Sequence, residues 1–136
     1  MQRGWEHLHP ASLYMIHPDG KGLRRLTPAG KFAGSPKWSA DGKRVVFYEL
    51  EVGQTEGDLP DTKSQIVSVD IATGKRLEHT SGPGLKLSPQ YLNGGRIGYL
   101  VKKGAPRNGL AFSSGEPGAD GEMRCPAWSA DGKRLV

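Results

Sequence analysis

Ser39-Ala40-Asp41-Gly42-Lys43-Arg44 returns unchanged as Ser129-Ala130-Asp131-Gly132-Lys133-Arg134, at an offset of 90 residues. Six identical residues at twice a spacing of about 45 mark an internal repeat of the length a four-stranded unit requires. A diverged copy lies between them. Ser88-Pro89-Gln90-Tyr91-Leu92-Asn93-Gly94-Gly95-Arg96 keeps a proline, an aromatic three residues after Ser88, and an Asn-Gly turn. Pro36-Lys37-Trp38 leads into the first copy and Cys125-Pro126-Ala127-Trp128 into the last.

Local chemistry makes each copy a hairpin. Pro36-Lys37-Trp38 is an extended start with the indole expected to face inward. Asp41-Gly42 supplies the turn, because Asp tolerates and Gly readily adopts a left-handed conformation. Val45-Val46-Phe47-Tyr48 then has the β-branched and aromatic content of a strand. Asn93-Gly94 and Asp131-Gly132 make the equivalent turns. Trp38, Tyr91 and Trp128 are expected at equivalent places, each burying a large apolar area between stacked sheets. A second kind of hairpin interleaves. Ser12 to Ile16, the turn His17-Pro18-Asp19-Gly20-Lys21-Gly22, and Leu23 to Thr27 form one copy; Gln65 to Ile71, Ala72-Thr73-Gly74, and Lys75 to Thr80 form another. The two hairpin kinds in succession predict a four-stranded antiparallel sheet.

The order Ser-Pro-x-Trp-Ser-x-Asp-Gly-Lys-Arg, an apolar strand, and a Leu-Tyr-x-Ile…Asp-Gly…Leu-Thr hairpin resembles the WD-like repeat of the TolB β-propeller family. Ala40 and Ala130 stand where that family usually has Pro, and Leu92-Asn93-Gly94 departs from it in the middle copy. The resemblance implies an all-β chain, a partial β-propeller of four-stranded antiparallel blades. Residues 12–27 would be an outer half-blade, 35–80 a complete blade, 86–115 a blade with a short outer hairpin, and 124–136 an inner half-blade. The short outer hairpin is expected from Gly109-Leu110-Ala111-Phe112-Ser113-Ser114-Gly115 and Gly121-Glu122-Met123-Arg124. About three blades cannot close, since propellers take four to eight and repeat units do not bury their faces alone. Either a longer protein supplies the remaining blades, or two copies join by twofold symmetry into six. The stop at Leu135-Val136, in mid-strand, points to the first.

Composition agrees with an all-β chain rich in turns: 136 residues, 35% hydrophobic, 24% charged, with 20 Gly and 10 Pro spaced between apolar runs. The net charge of +5 does not gather into a nucleic-acid face. Lys43-Arg44, Lys75-Arg76 and Lys133-Arg134 each follow a turn glycine and read as solvated strand starts. The single cysteine, Cys125, rules out an intrachain disulfide and is expected to be a small buried thiol. No stretch approaches membrane-spanning length. No secretory signal is read: Leu13-Tyr14-Met15-Ile16 is only a short apolar run, ended by His17-Pro18-Asp19-Gly20.

Candidate chemistry is sparse. His7-Leu8-His9 has the His-x-His spacing of metal-dependent amidohydrolases, but such a centre needs further His and Asp ligands. The other histidines, His17 and His79, fall in outer hairpins, so the pair is read as non-ligating. Glu49, Glu51, Glu56, Asp58 and Asp61, near Gly53 and Gly57, match no defined calcium loop and are read as a solvated loop. Ser113-Ser114-Gly115 is not a nucleophile elbow. Gly82-Pro83-Gly84 lacks the Lys-Ser/Thr of a phosphate loop. No catalytic, metal or cofactor residue is expected. The resulting expectation is a non-catalytic scaffold for a protein or ligand, with Lys37, Gln90 and Ala127 as a binding rim near the inner strands. Neither a nucleic-acid partner nor membrane insertion is expected. The resemblance implies a bacterial, extracytoplasmic setting. Its alternative is the N-terminal propeller portion of a hydrolase, amidohydrolase or prolyl-oligopeptidase-like, whose catalytic domain lies beyond this chain.

Overall fold

In Val45-Val46-Phe47-Tyr48-Glu49-Leu50 every residue but the half-buried Tyr48 is buried. A strand alternates its side chains between two faces, so such a run needs a covering layer on each side. The computed structural model describes residues 11–51, 63–102 and 108–136, and it supplies both layers. The run lies in β4 (Arg44–Glu51), whose antiparallel neighbours are β3 (Lys31–Trp38) and β5 (Gln65–Asp70); β6 (Arg76–Glu78) completes the sheet. A second four-stranded antiparallel sheet follows: β7 (Leu85–Tyr91), β8 (Ile97–Lys102), β9 (Gly109–Phe112) and β10 (Pro117–Asp120). Before them stands a lone pair, β1 (Tyr14–Met15) with β2 (Arg24–Arg25). After them comes one bridge, Trp128 opposite Leu135.

Period-two alternation along β4 sorts the core. Val45 and Phe47 point to one face, where they join Ala33, Val67 and Val69 and receive Leu13 and Leu26 from the first hairpin. Val46 points to the other, with Ile66 and Ile97, against which Tyr48, Tyr91 and Tyr99 pack. The first complete sheet is therefore the middle layer between the lone hairpin and the second sheet. The chain is all-β, with open four-stranded antiparallel sheets stacked as in a partial propeller. Among the described residues the helical content is one 3₁₀ turn, Asn93–Gly95, and no helix is long and apolar enough to cross a membrane.

The identity of the two Ser-Ala-Asp-Gly-Lys-Arg copies has a local cause. Ser39 Oγ donates to Asp41 Oδ1 (2.6 Å) and accepts from Arg44 N–H (3.0 Å), while Lys43 N–H donates to Asp41 Oδ1 (3.0 Å). Ser129, Asp131, Lys133 and Arg134 repeat these three bonds at 2.5, 3.0 and 3.0 Å. Gly42 and Gly132 take φ of 68° and 67°. The Ser39 hydroxyl, then the Lys43 amide, hold the Asp41 carboxyl below the usual carboxylate range, and Ser129 and Lys133 do the same for Asp131. In the middle copy Asn93 instead reaches outward, its Nδ2 donating to the carbonyl of Asp131 at 2.8 Å. The second and third turns are thereby tied together.

Several expectations are corrected. Trp38 is 50% exposed rather than buried between sheets. Its equivalents are covered by a preceding sheet: Tyr91 packs on the cluster containing Val46 and Ile66, and Trp128 lies over Gly98 with its ring edge toward Phe112. Trp38 has only the two-stranded β1–β2 pair before it. Cys125 is exposed, at a left-handed backbone position with φ of 47°. Glu49 belongs to β4 and not to a loop; it is buried and paired with Arg76. Glu56, Asp58, Asp61, His7 and His9 lie outside the described residues. The second strand of the short outer hairpin falls at Pro117–Asp120, not at 121–124. The repeat is also unequal: equivalent residues Ser35, Ser88 and Cys125 are 53 and then 37 positions apart.

Close approach at one glycine fixes the second interface. A Cβ at Gly98 would come within 2.6 Å of Trp128 Cζ2. Gly98→Ala is expected to push the indole off β8 and release the terminal hairpin. A red-shifted tryptophan emission and faster proteolysis after Arg124 check this; unchanged emission would mean that Trp128 is not seated there.

Candidate functional site

Three consecutive inner segments carry the same irregularity. Ser35, Ser88 and Cys125, each followed by proline, have φ of 51°, 50° and 47°. A left-handed backbone is uncommon for such residues and costs of order 1 kcal/mol or more each. In β3 and β7 the pairing register shifts at this point, between Gly34 and Lys37 and between Leu87 and Gln90. These are β-bulges, which bend the strand and re-aim side chains. The bend turns Ser35, Lys37, Ser88, Gln90 and Cys125 toward a shared open cleft of about 470 Å³, floored by prolines and Trp128.

The expected rim residues therefore meet in part. Lys37 is exposed and Gln90 half-buried, and both line this cleft. The Gln90 amide donates to Tyr91 O at 3.3 Å. Ala127 is exposed nearby, but it does not line the cleft; its amide and carbonyl are engaged with Val136 at 3.0 Å each. The cleft offers one ammonium, two hydroxyls, a carboxamide and a thiol. That set suits hydrogen bonding to an extended polar group. Ser35, Ser88 and Cys125 were not expected as site residues, Cys125 being read only as a buried thiol, although the repeated Ser/Cys-Pro-x-Trp/Tyr pattern marked their places. A second cleft, of about 590 Å³, lies where the three turns meet, and Trp38, Tyr91, Asn93 and Trp128 line it.

One pair has the spacing of a nucleophile and its base. His79 Nε2 is 2.8 Å from Ser68 Oγ, which also accepts from Arg44 Nη2 at 2.9 Å. Ser68 is fully buried, so no substrate reaches it, and the network is structural. With Arg44 donating, the Ser68 hydroxyl is left to donate to a neutral His79 ring. Burial, and secondarily the Arg44 charge, push the His79 pKa below the ordinary imidazole value. Above an unfolded pKa of about 6.5 both states carry a neutral ring and this stabilisation is fully present. As pH falls through that value toward the lower folded one, the unfolded chain binds the proton first and stability is lost. Urea midpoints are expected to be lower at pH 5 than at pH 8, with a smaller difference in His79→Gln.

The Gly82-Pro83-Gly84 turn is held by a buried lysine. Lys86 Nζ donates to the carbonyls of Gly82 (3.1 Å) and Pro83 (3.0 Å). Ser64 accepts from the Lys86 amide at 2.7 Å, joining the two large sheets. These glycines serve a turn and not a phosphate loop. Among the described residues no three His, Cys, Asp or Glu side chains gather as metal ligands.

Stacked open sheets with a bulge repeated along their inner strands define a propeller-like module. No family model matches the sequence. A solved structure titled oligogalacturonate lyase in complex with manganese superposes with a TM-score of 0.63 over 96% of this chain and 38% of that one, at 18% identity. That likeness is one of fold. Dipeptidyl-peptidase 5 of Porphyromonas endodontalis is 34% identical over 55 residues, which are 39% of this chain and 8% of that protein. Each relation covers well under half of the other protein. Both proteins are named for catalysis, which contradicts the expectation of a non-enzymatic scaffold.

Proposed function

We propose that this chain is the propeller portion, about three TolB-like blades, of a larger extracytoplasmic hydrolase of the prolyl-oligopeptidase-like kind. The observation that carries the reading is the 34% identity over 55 residues to a dipeptidyl-peptidase. It favours a peptidase-type partner domain over an amidohydrolase one. The catalytic nucleophile would lie outside these 136 residues. The cleft at the inner-strand bulges would then meet an extended peptide, with the Lys37 ammonium toward its C-terminal carboxylate or an acidic side chain. Seryl hydroxyls and the Gln90 amide would bond to main-chain groups.

The test is to extend the reading frame on both sides and treat the resulting polypeptide with a fluorophosphonate probe. A Gly-x-Ser-x-Gly segment whose serine takes the label is the expected result. A frame that holds only further blades, and takes no label, removes the proposal. In a labelled enzyme, Lys37→Ala should raise KM for peptide substrates several-fold with kcat little changed.

A further inference from the structure

The sequence holds two asparagines, Asn93 and Asn108, and glycine follows each. Asparagine is a thermolabile residue: the amide nitrogen of the next residue can attack its Cγ, and a glycine there, having no Cβ, leaves the approach open. The attack requires the Asn–Gly peptide group to turn, and the two sites differ in that freedom. Asn108-Gly109 enters a sheet. The Asn108 carbonyl accepts from Gly121 N–H at 3.1 Å, and Gly109 lies between Val101 of β8 and Asp120 of β10. A Cβ at Gly109 would come within 2.3 Å of the Ala119 carbonyl oxygen, so the backbone there has no room to swing.

Asn93-Gly94 stands in the open. Asn93, Gly94 and Gly95 are all exposed and make the 3₁₀ turn between β7 and β8, outside the sheet pairing. Short turns of this kind have poorer hydrogen-bond geometry than an α-helix. Gly94 and Gly95 both take φ of 76°, and a Cβ at either would meet nothing within 4 Å. The bond from Asn93 Nδ2 to the Asp131 carbonyl is itself exposed to solvent, a weak hold between neutral groups. Glycine also follows Asp41 and Asp131 in the sister turns. There hydrogen bonds from Ser39 and Lys43, and from Ser129 and Lys133, keep the acids ionised. A carboxylate carbon is a poor electrophile and has no neutral group to lose.

We infer that Asn93 is a site of spontaneous deamidation, and that this reaction unfastens the second inner turn from the third. The Gly94 nitrogen bonds to Asn93 Cγ, the Cγ–Nδ2 bond breaks, and ammonia leaves with the Gly94 amide proton. Water then opens the resulting succinimide at either carbonyl, giving aspartate or isoaspartate. Overall one water is consumed and one ammonia released, with no change of oxidation state. Neither product can donate to the Asp131 carbonyl: a carboxylate lies where the amide donor was, and isoaspartate also adds a methylene to the turn backbone. The Asn93–Asp131 bond ties these two turns together, and the segment it holds carries Trp128, which seats over Gly98. The change therefore loosens residues 124–136 and leaves the turn at Asp41 as it was. Only groups inside this chain take part, so the inference is independent of the hydrolase reading.

The whole chain, aged at mildly alkaline pH and sampled over weeks, is digested with trypsin and read by mass spectrometry. Peptide 87–96 carries Asn93, and peptide 108–124 carries Asn108. In the folded chain peptide 87–96 should show deamidation, split into aspartate and isoaspartate forms, at least about tenfold faster than peptide 108–124. That ratio corresponds to about 1.4 kcal/mol for opening the strand-held site. In urea, where no strand holds Asn108, the two rates should draw together. Equal rates in the folded chain, a faster Asn108, or an Asn93 that keeps its amide throughout overturn the inference. Asn93→Gln keeps an amide but would have to close a six-membered ring, and should resist ageing. The unfastening is read on Asn93→Asp, which carries the product from the start. Its cleavage after Arg124 should be several-fold faster than in the unaltered chain, with red-shifted tryptophan emission. A variant matching the unaltered chain in both would show that deamidation leaves the two turns fastened.

Discussion

Replacing Phe47 by Ala is expected to lower the unfolding free energy by about 3–5 kcal/mol, the range for removing a fully buried ring. Phe47 has 0% exposure at the centre of β4. Its ring fills the layer between the first complete sheet and the β1–β2 hairpin, where Leu13 and Leu26 pack on the same cluster. Arg76 also lies over it, with its guanidinium carbon 5.9 Å from the ring centroid. The loss is a large share of the 5–15 kcal/mol that holds a typical domain folded. Urea unfolding followed by far-ultraviolet circular dichroism measures it. Phe47→Leu, which keeps most of the volume, should retain most of the stability; if the two variants unfold alike, the ring is not the keystone of that layer.

The second large effect belongs to the Arg76–Glu49 pair. Arg76 Nη2 donates to both carboxylate oxygens of Glu49, at 2.7 and 2.9 Å. Glu49 is 8% exposed and Arg76 34%, which sets the pair between a surface bridge worth under 1 kcal/mol and a buried one whose rupture costs 3–5. Arg76→Ala leaves a buried carboxylate without its bidentate partner and is expected to cost about 2 kcal/mol. Lys31 and Lys63 line the same cleft and keep positive charge near, but a lysine cannot match the planar fork of the guanidinium. Replacing both partners, Glu49→Leu with Arg76→Met, should recover most of the loss, because no charge is then left buried. A double variant as unstable as the two single losses added together would show that the pair is not coupled.

The unequal legibility of the repeat follows the range of the forces involved. Ser39, Asp41 and Gly42 bond within five residues of one another, so their turn is legible in the sequence itself, and its copy at Ser129 to Gly132 likewise. The hairpin of Gln65 to Ile71 with Lys75 to Thr80, closed by Ala72-Thr73-Gly74, was readable for the same reason. The burial of Trp38 was not, because it depends on whether a preceding sheet stands beside β3. Cys125 is exposed at a left-handed position of the segment before Trp128, and in β3 and β7 the corresponding Ser35 and Ser88 fall where the pairing register shifts. Of the expected rim, Lys37 and Gln90 meet at one cleft and Ala127 stands beside it; the bulge residues that complete the cleft are a tertiary result.

What the amino-acid order alone determined was the unit: turn chemistry at Asp41-Gly42 and Asp131-Gly132, β-rich runs between turns, and hence an all-β chain of repeated hairpins. Those choices are settled by backbone preferences and hydrogen bonds a few residues long. Tertiary structure decided how the units are used. It set the unequal spacing of the copies, buried Glu49 against Arg76, gathered the left-handed residues Ser35, Ser88 and Cys125 around one cleft, and left Trp38 half exposed beside the two-stranded first pair. Each of these is decided by a neighbour distant in sequence. A residue's own chemistry says that it seeks a partner, while only the packed sheets say whether one is there.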